Sequence, residues 1–199
     1  KALGYREPTP IQLQAIGPIL DGRDVLAAAQ TGTGKTAAFG LPLVEKLLKG
    51  KVPRKARSAH ALILAPTREL AAQIEEDIRN YALGTGLKTV LVFGGVNIRP
   101  QTAVLSGGVD ILVATPGRLL DHIGQGNLSL SDVHFLVLDE ADRMLDMGFI
   151  RDIRKILALV PKARQTLLLS ATFNDEIHAL AQNILTDPVD IEIAKNKDC

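Results

Sequence analysis

Cysteine is almost absent from this 199-residue sequence; the single one, Cys199, stands at its end. One thiol cannot close an internal disulfide, so stability must come from packing, and such usage suits a reducing compartment, the cytoplasm. Aromatic residues make up only 4% of the chain, too few for an extended base-stacking surface. No apolar run approaches the roughly 20 residues that a membrane helix needs, and the opening residues are not signal-like. A membrane partner is therefore not expected. Charge of one sign is also lacking: 23 Lys and Arg face 22 Asp and Glu, so any nucleic-acid surface has to be local. What remains is an ordinary globular composition, 46% hydrophobic and 23% charged. Its length suits one α/β domain that buries roughly 70% of its unfolded surface. The start at Lys1, without methionine, leads us to expect a fragment of a longer chain.

One stretch organises the rest, Ala29-Gln30-Thr31-Gly32-Thr33-Gly34-Lys35-Thr36. An apolar run, Val25 to Ala28, precedes it, and apolar residues at helical spacing follow from Ala37 to Leu48. Strand, glycines, then a helix opening on Lys-Thr is the arrangement of a phosphate-binding loop. Glycines let successive N–H groups converge on phosphate oxygens, and the helix points its positive end there. In such a loop Lys35 neutralises the β and γ phosphates, and the Thr36 hydroxyl binds Mg²⁺. The general pattern asks for glycine where Ala29 stands. A plain glycine-rich turn with an exposed lysine is the simpler alternative; the flanking strand and helix and the Gly-Lys-Thr register outweigh it.

Six further apolar runs read as strands: 61–65, 88–93, 110–114, 134–138, 165–169 and 189–193. They are continuously apolar rather than alternating, which predicts strands buried on both faces. With helical segments between them they give a mostly parallel sheet of roughly seven strands in a three-layer sandwich. Thr9 and Thr67 are placed to cap helices, the first beginning at Pro10 and the second running to about Tyr81. Each polar cluster follows the C-terminal end of a strand, the edge where open α/β sheets bind ligands.

Asp139 ends the fifth apolar run, where phosphate-loop ATPases place a metal-binding aspartate. Glu140 beside it is suited to activate water, or simply to complement a helix dipole. Asp142 is expected to pair with Ser170 or Thr172. Gln12, taken alone, is most simply a surface residue, although its amide matches the N7/N6 edge of adenine. The basic connector from Lys49 to Arg57 reads as a solvated loop, with a weak electrostatic aid to RNA as the alternative. His60, His122, His134 and His178 lack ligand spacing, and Met144 and Met147 read as core packing.

Together these residues resemble the first RecA-like domain of a DEAD-box RNA helicase. The motifs stand in family order: 4–12, 29–36, 66–71, Gly94-Gly95, 115–118, Asp139-Glu140-Ala141-Asp142 and Ser170-Ala171-Thr172. The family's own phosphate loop begins with alanine. The resemblance implies a three-layer RecA-like P-loop NTPase domain over 1–194, with 195–199 opening an interdomain linker. It further implies that Gln12, with Tyr5, Arg6 and Pro8, selects adenine, and that Gln30, Thr31, Gly32, Thr33, Gly34, Lys35 and Thr36 hold ATP. Asp139 is implied to bind Mg²⁺ through water and Glu140 to be the catalytic base. Pro66, Thr67, Arg68, Gly94, Gly95, Gln101, Thr115, Pro116, Gly117 and Arg118 are implied to line a sequence-independent RNA path. Asp142, Ser170 and Thr172 are implied to couple hydrolysis to strand separation. Nothing after Ile193 forms the second RecA-like domain, which in the family supplies an arginine finger, so little hydrolysis and no unwinding are expected of this piece. A DNA translocase and an ATP-gated RNA clamp without unwinding are the competing readings.

Overall fold

The computed structural model describes residues 10–30 and 34–192, with the side chains of 10–13 and 192 outside the description. The elements alternate along the chain: α1 (Pro10–Leu20), β1 (Val25–Ala28), α2 (Lys35–Gly50), β2 (Ala59–Leu64), α3 (Arg68–Tyr81), β3 (Thr89–Val92), α4 (Arg99–Leu105) and β4 (Val109–Ala114). There follow α5 (Pro116–Gly124), β5 (Phe135–Leu138), α6 (Ala141–Asp146), α7 (Ile150–Leu159), β6 (Gln165–Ser170), α8 (Asp175–Ile184) and β7 (Val189–Glu192). All seven strands join one sheet in the order β3-β4-β2-β5-β6-β1-β7, and every pairing is parallel.

Both faces of this sheet are covered, and successive strand residues divide between them. Leu62 and Leu64 of β2, Leu112 of β4 and Leu136 of β5 pack with residues of α4 to α8 such as Leu105, Leu119, Met144, Ile153 and Ile177. Ile63, Ile111, Phe135 and Val137 face the other way, against Ile19 of α1, Phe39 and Leu43 of α2, and Ile74 and Ile78 of α3. This is why the central runs show no polar alternation. The rule holds for β2, β4, β5 and β6, each buried at every position. It does not hold for β1 and β3, each half-buried at alternate residues; β3 has a neighbour on one side only, whereas β1 has two.

Local signals fix the helix starts. Thr67 accepts from the Leu70 N–H (3.2 Å) and Asn174 from the Ile177 N–H (3.0 Å), the N-cap role short polar side chains favour. Pro116 opens α5, where a missing N–H costs nothing. Met144 is buried as expected. Met147 is 48% exposed, contrary to its reading as core, because it lies beyond the last turn of α6, beside Gly148. The basic connector is exposed from Lys51 to Arg57. Arg54 there reaches Asp110 (2.7 Å) at the start of β4 and the Gly86 carbonyl (3.1 Å), the edge away from the motif loops, which fits a solvated loop. Thr9 and the linker 195–199 lie outside the described residues.

At that same edge Gly108 has φ +83°, and a methyl group on it would run into the Lys55 carbonyl oxygen. Both facts require glycine. Gly108→Ala is therefore expected to lower the unfolding free energy by about 2 kcal/mol or more, measured by urea denaturation; a change below about 0.5 kcal/mol would show that the connector simply shifts aside.

Candidate functional site

Because every strand is parallel, all the motif loops leave from one rim, and backbone hydrogen bonds tie them together past the strand ends. Ala29 donates to the Ser170 carbonyl (2.9 Å), Ala65 to Ala114 (3.0 Å), Asp139 to Leu64 (3.0 Å) and Thr115 to Val92 (3.2 Å). Gly34, with φ 92°, turns the chain into α2 in the left-handed region that glycine adopts freely.

At the centre, Lys35 Nζ lies 2.9 Å from Asp139 Oδ1, with both side chains buried. The same Oδ1 accepts from the Glu140 N–H (2.9 Å). Burial pushes the Asp139 carboxyl up from its ordinary value, and the Lys35 ammonium pulls it back. Asp139 Oδ2 is buried with no hydrogen-bond partner. A carboxylate that gives one oxygen to a lysine and leaves the other without a partner fits a cation with its bound waters, and a carboxylate-hydroxyl oxygen set suits Mg²⁺. No cluster of three or more metal-ligating side chains occurs among the described residues. Burial pushes up the Asp77 carboxyl on α3, while the side chains of Gln73 and Thr36 beside it pull it back. Sequence reading missed Asp77, which lies on α3, six residues beyond the 66–71 motif.

Glu140 has φ 47° and ψ 52° at the N-cap of α6. A non-glycine residue in that region costs on the order of 1–3 kcal/mol, a strain found at functional sites. Arg143 lies 3.9 Å from its carboxylate. Asp142 Oδ2 accepts from both the N–H (3.1 Å) and the hydroxyl (3.0 Å) of Thr172, and Ser170 donates to the Thr172 carbonyl (2.7 Å). The expected pairing thus falls on Thr172, with Ser170 buried behind it.

The residues read as an RNA path divide into an outer and an inner set. Arg68, Gly94 and Gly95 are exposed, and the Arg68 guanidinium sits 5.7 Å from the centre of the Phe93 ring. Thr67, Thr115 and Gly117 are half-buried, while Pro66 and Pro116 are buried and shape the backbone only. Gln101 is 7% exposed. Its amide donates to the Phe93 carbonyl (3.0 Å) and accepts from Arg118 Nη1 (3.2 Å) and His122 Nε2 (2.9 Å). Arg118 also donates to the Val96 carbonyl (2.9 Å). Its Nε is 3.6 Å from Asp121, too far for a hydrogen bond, which agrees with that nitrogen being buried and unpartnered. Gln101 and Arg118 therefore lie beneath the surface that Arg68 and the two glycines present.

Gln30 is exposed at the end of the β1 loop. Tyr5, Arg6, Pro8, Thr31, Gly32, Thr33 and the side chain of Gln12 lie outside the described residues. His60 and His134 face each other at 5.8 Å, and His122 is fully buried. A cavity of ≈ 540 Å³ lined by Leu47, Arg54, Gly86 and Asp110 lies at the opposite edge of the sheet and takes no part in the site.

The family profile described as DEAD/DEAH box helicase matches residues 9–180. The chain is 45% identical over 192 residues to DEAD-box ATP-dependent RNA helicase 3B, chloroplastic, of Zea mays, covering 95% of this chain and 26% of that protein. It superposes with a TM-score of 0.89 and 41% identity on the crystal structure of a DEAD box protein from the hyperthermophile Methanococcus jannaschii, covering 98% of this chain and 52% of that one. The chain thus spans about a quarter of the curated relative and about half of the solved one. No helix among the described residues is long and apolar enough to cross a membrane.

Removing one member of a buried ion pair leaves the other charge uncompensated, at about 3–5 kcal/mol. Lys35→Met is expected to lose stability of that order in urea denaturation. Lys35→Met combined with Asp139→Asn should recover most of it. Equal losses in the single and double variants would show that the pair is not coupled.

Proposed function

We propose, from the premise that this chain belongs to the DEAD/DEAH box helicase family, that it is the ATP-binding motor domain of an ATP-dependent RNA helicase. In this reading it couples ATP binding and hydrolysis to local separation of RNA duplexes. The observation that carries it is the buried Lys35–Asp139 pair, with an unpartnered carboxylate oxygen, on the rim that also exposes Arg68 and the Gly94-Gly95 loop.

Lys35 and the 30–36 loop hold the phosphates of ATP, and Tyr5, Arg6, Pro8 and Gln12 select the adenine. Mg²⁺, held by Thr36 and Asp139 partly through water, would supply neutralisation of phosphate charge. Glu140 takes the proton of the attacking water, and Lys35 stays with the phosphates as their charge shifts. Arg68 and the backbone at 94–95 and 115–117 meet ribose and phosphate, so binding is sequence-independent, and 2′-OH contacts favour RNA over DNA. Asp142, Ser170 and Thr172 relay the state of the nucleotide pocket to this surface. The single cysteine supports a reducing compartment, the cytoplasm. Domain bounds of 1–194, with a linker at 195–199, fit the last strand ending at Glu192.

A second RecA-like domain in the longer protein completes the site, and its arginine finger is worth about 10³–10⁵ in rate. The 199-residue chain is therefore expected to hydrolyse ATP barely, with or without RNA, in a steady-state assay; robust RNA-stimulated turnover by it alone would overturn this. In the longer protein, Glu140→Gln should abolish hydrolysis while RNA binding stays ATP-dependent. A variant that behaves as the parent would instead indicate an RNA clamp that uses ATP only to close.

A further inference from the structure

His122 is fully buried on α5, one turn after Arg118, and the proposed catalysis does not use it. The Phe93 carbonyl can only accept, so the NH₂ of Gln101 must face it, and the Gln101 oxygen must face Arg118 and His122. That oxygen only accepts, so the proton of a neutral His122 ring is on Nε2. Its Nδ1 then accepts from Asn127 Nδ2 (3.2 Å), which also reaches Thr102 Oγ1 (3.2 Å), whose hydroxyl bonds the Ile98 carbonyl (3.2 Å) at the start of α4. One histidine thus closes a buried chain of hydrogen bonds under the Gly94-Gly95 loop.

Resting on the RNA reading above, we propose that neutral His122 is a positioning residue of the RNA-facing rim. It locks Gln101 so that one amide sets both the loop at 93–96 and the Arg118 guanidinium. A second proton on the ring would turn Nδ1–H toward the Asn127 NH₂, donor against donor, and would place a cation beside Arg118 on the same oxygen. The charged groups that bear on His122 are Arg118, which opposes protonation, and Asp121, which favours it, both on α5. Facing it from α4 and from the turn after α5 are the neutral Gln101, Thr102 and Asn127. No group on α7, the other helix packed on α5, is among the charges that act on it. Burial first, then Arg118, lowers the His122 pKa. The ordered clip is therefore fully favoured above the unfolded value of about 6.5 and loses stability as pH falls below it.

The test is fluorescence anisotropy of a labelled 15-mer oligouridylate with this chain from about pH 7.5 down through that value to the lowest pH at which circular dichroism shows the chain folded, because the native ring titrates below it. Two variants accompany the parent: His122→Gln, whose Nε2–H reaches a similar position without titrating, and His122→Leu, which donates nothing. Losing one buried hydrogen bond corresponds to about fivefold in affinity. The parent should therefore weaken by about fivefold more than His122→Gln on acidification. His122→Leu should be weaker than the parent at the higher pH, with faster amide exchange at Gly94 and Gly95. The other histidines are common to all three proteins, so they cancel in the comparison. Parallel pH profiles for the parent and His122→Gln overturn the proposal, as does a His122→Leu variant with parental affinity and exchange. Should His122→Leu fail to fold, the parent-to-His122→Gln comparison decides alone. Should the parent bind no RNA at any pH, exchange at 94–96 decides the clip separately, faster exchange in His122→Leu upholding it and unchanged exchange sinking it, while the RNA reading is decided in the longer protein with ATP.

Discussion

Lys35 and Asp139 meet across a strand that belongs to neither of their loops. Lys35 follows β1 and Asp139 follows β5, and β6 lies between those strands in the sheet. A buried contact of 2.9 Å across that gap requires the ends of all three strands to be level. The parallel register and the stitching of Ala29 to Ser170 and of Asp139 to Leu64 provide this. In the low-dielectric interior neither charge is tolerable without the other. The ion pair is thus a structural requirement of the fold, and in the function proposed above the lysine exchanges this carboxylate for a phosphate oxygen. The orphaned Asp139 Oδ2 shows that the compensation is incomplete, and that incompleteness gives a cation-bearing ligand something to gain.

The fold was largely legible because its determinants are short-range. Runs such as Ala61 to Ala65 and Leu136 to Leu138 had to be buried on both faces, and buried strands separated by helical segments lead to a parallel sheet. Caps such as Thr67 and Pro116 are set by their own neighbours. Failures came where the third dimension decides. β3 reads like a central strand but is an edge, because strand order is not written in any one strand. Met147 reads like a core residue, and one turn of geometry past Met144 puts it in solvent.

The motif loops were legible in the sequence, and their layering less so. Motif spacing pointed to Lys35, Asp139, Glu140 and Arg68 because their chemistry is local to a loop. It could not separate Arg68, which is exposed, from Arg118, which spends its hydrogen bonds on Gln101 and Val96. Nor could it find His122, whose partners lie on α4 and in the turn after α5, or Asp77, which the fold brings beside Thr36. One signal was available for His122: it stands four residues after Arg118, on the same helix face.

This layering bears on how a rim made of loops can be rigid enough for chemistry. Backbone hydrogen bonds fix where each loop leaves the sheet, and side chains such as the buried Gln101 and the half-buried Asp142 fix how it continues. The strain at Glu140 depends on that support. A left-handed glutamate would relax to ordinary helical geometry if α6 could slide, but Asp142 is tied to Thr172 beyond β6, and Ala141 and Met144 are buried against the sheet. The same contact that links the acidic tetrad to the Ser170-Ala171-Thr172 turn therefore holds Glu140 in its uncommon conformation. Asp142 is thus the residue through which the hydrogen bonds of that turn reach the segment carrying the glutamate, which is the path that the coupling proposed above would use.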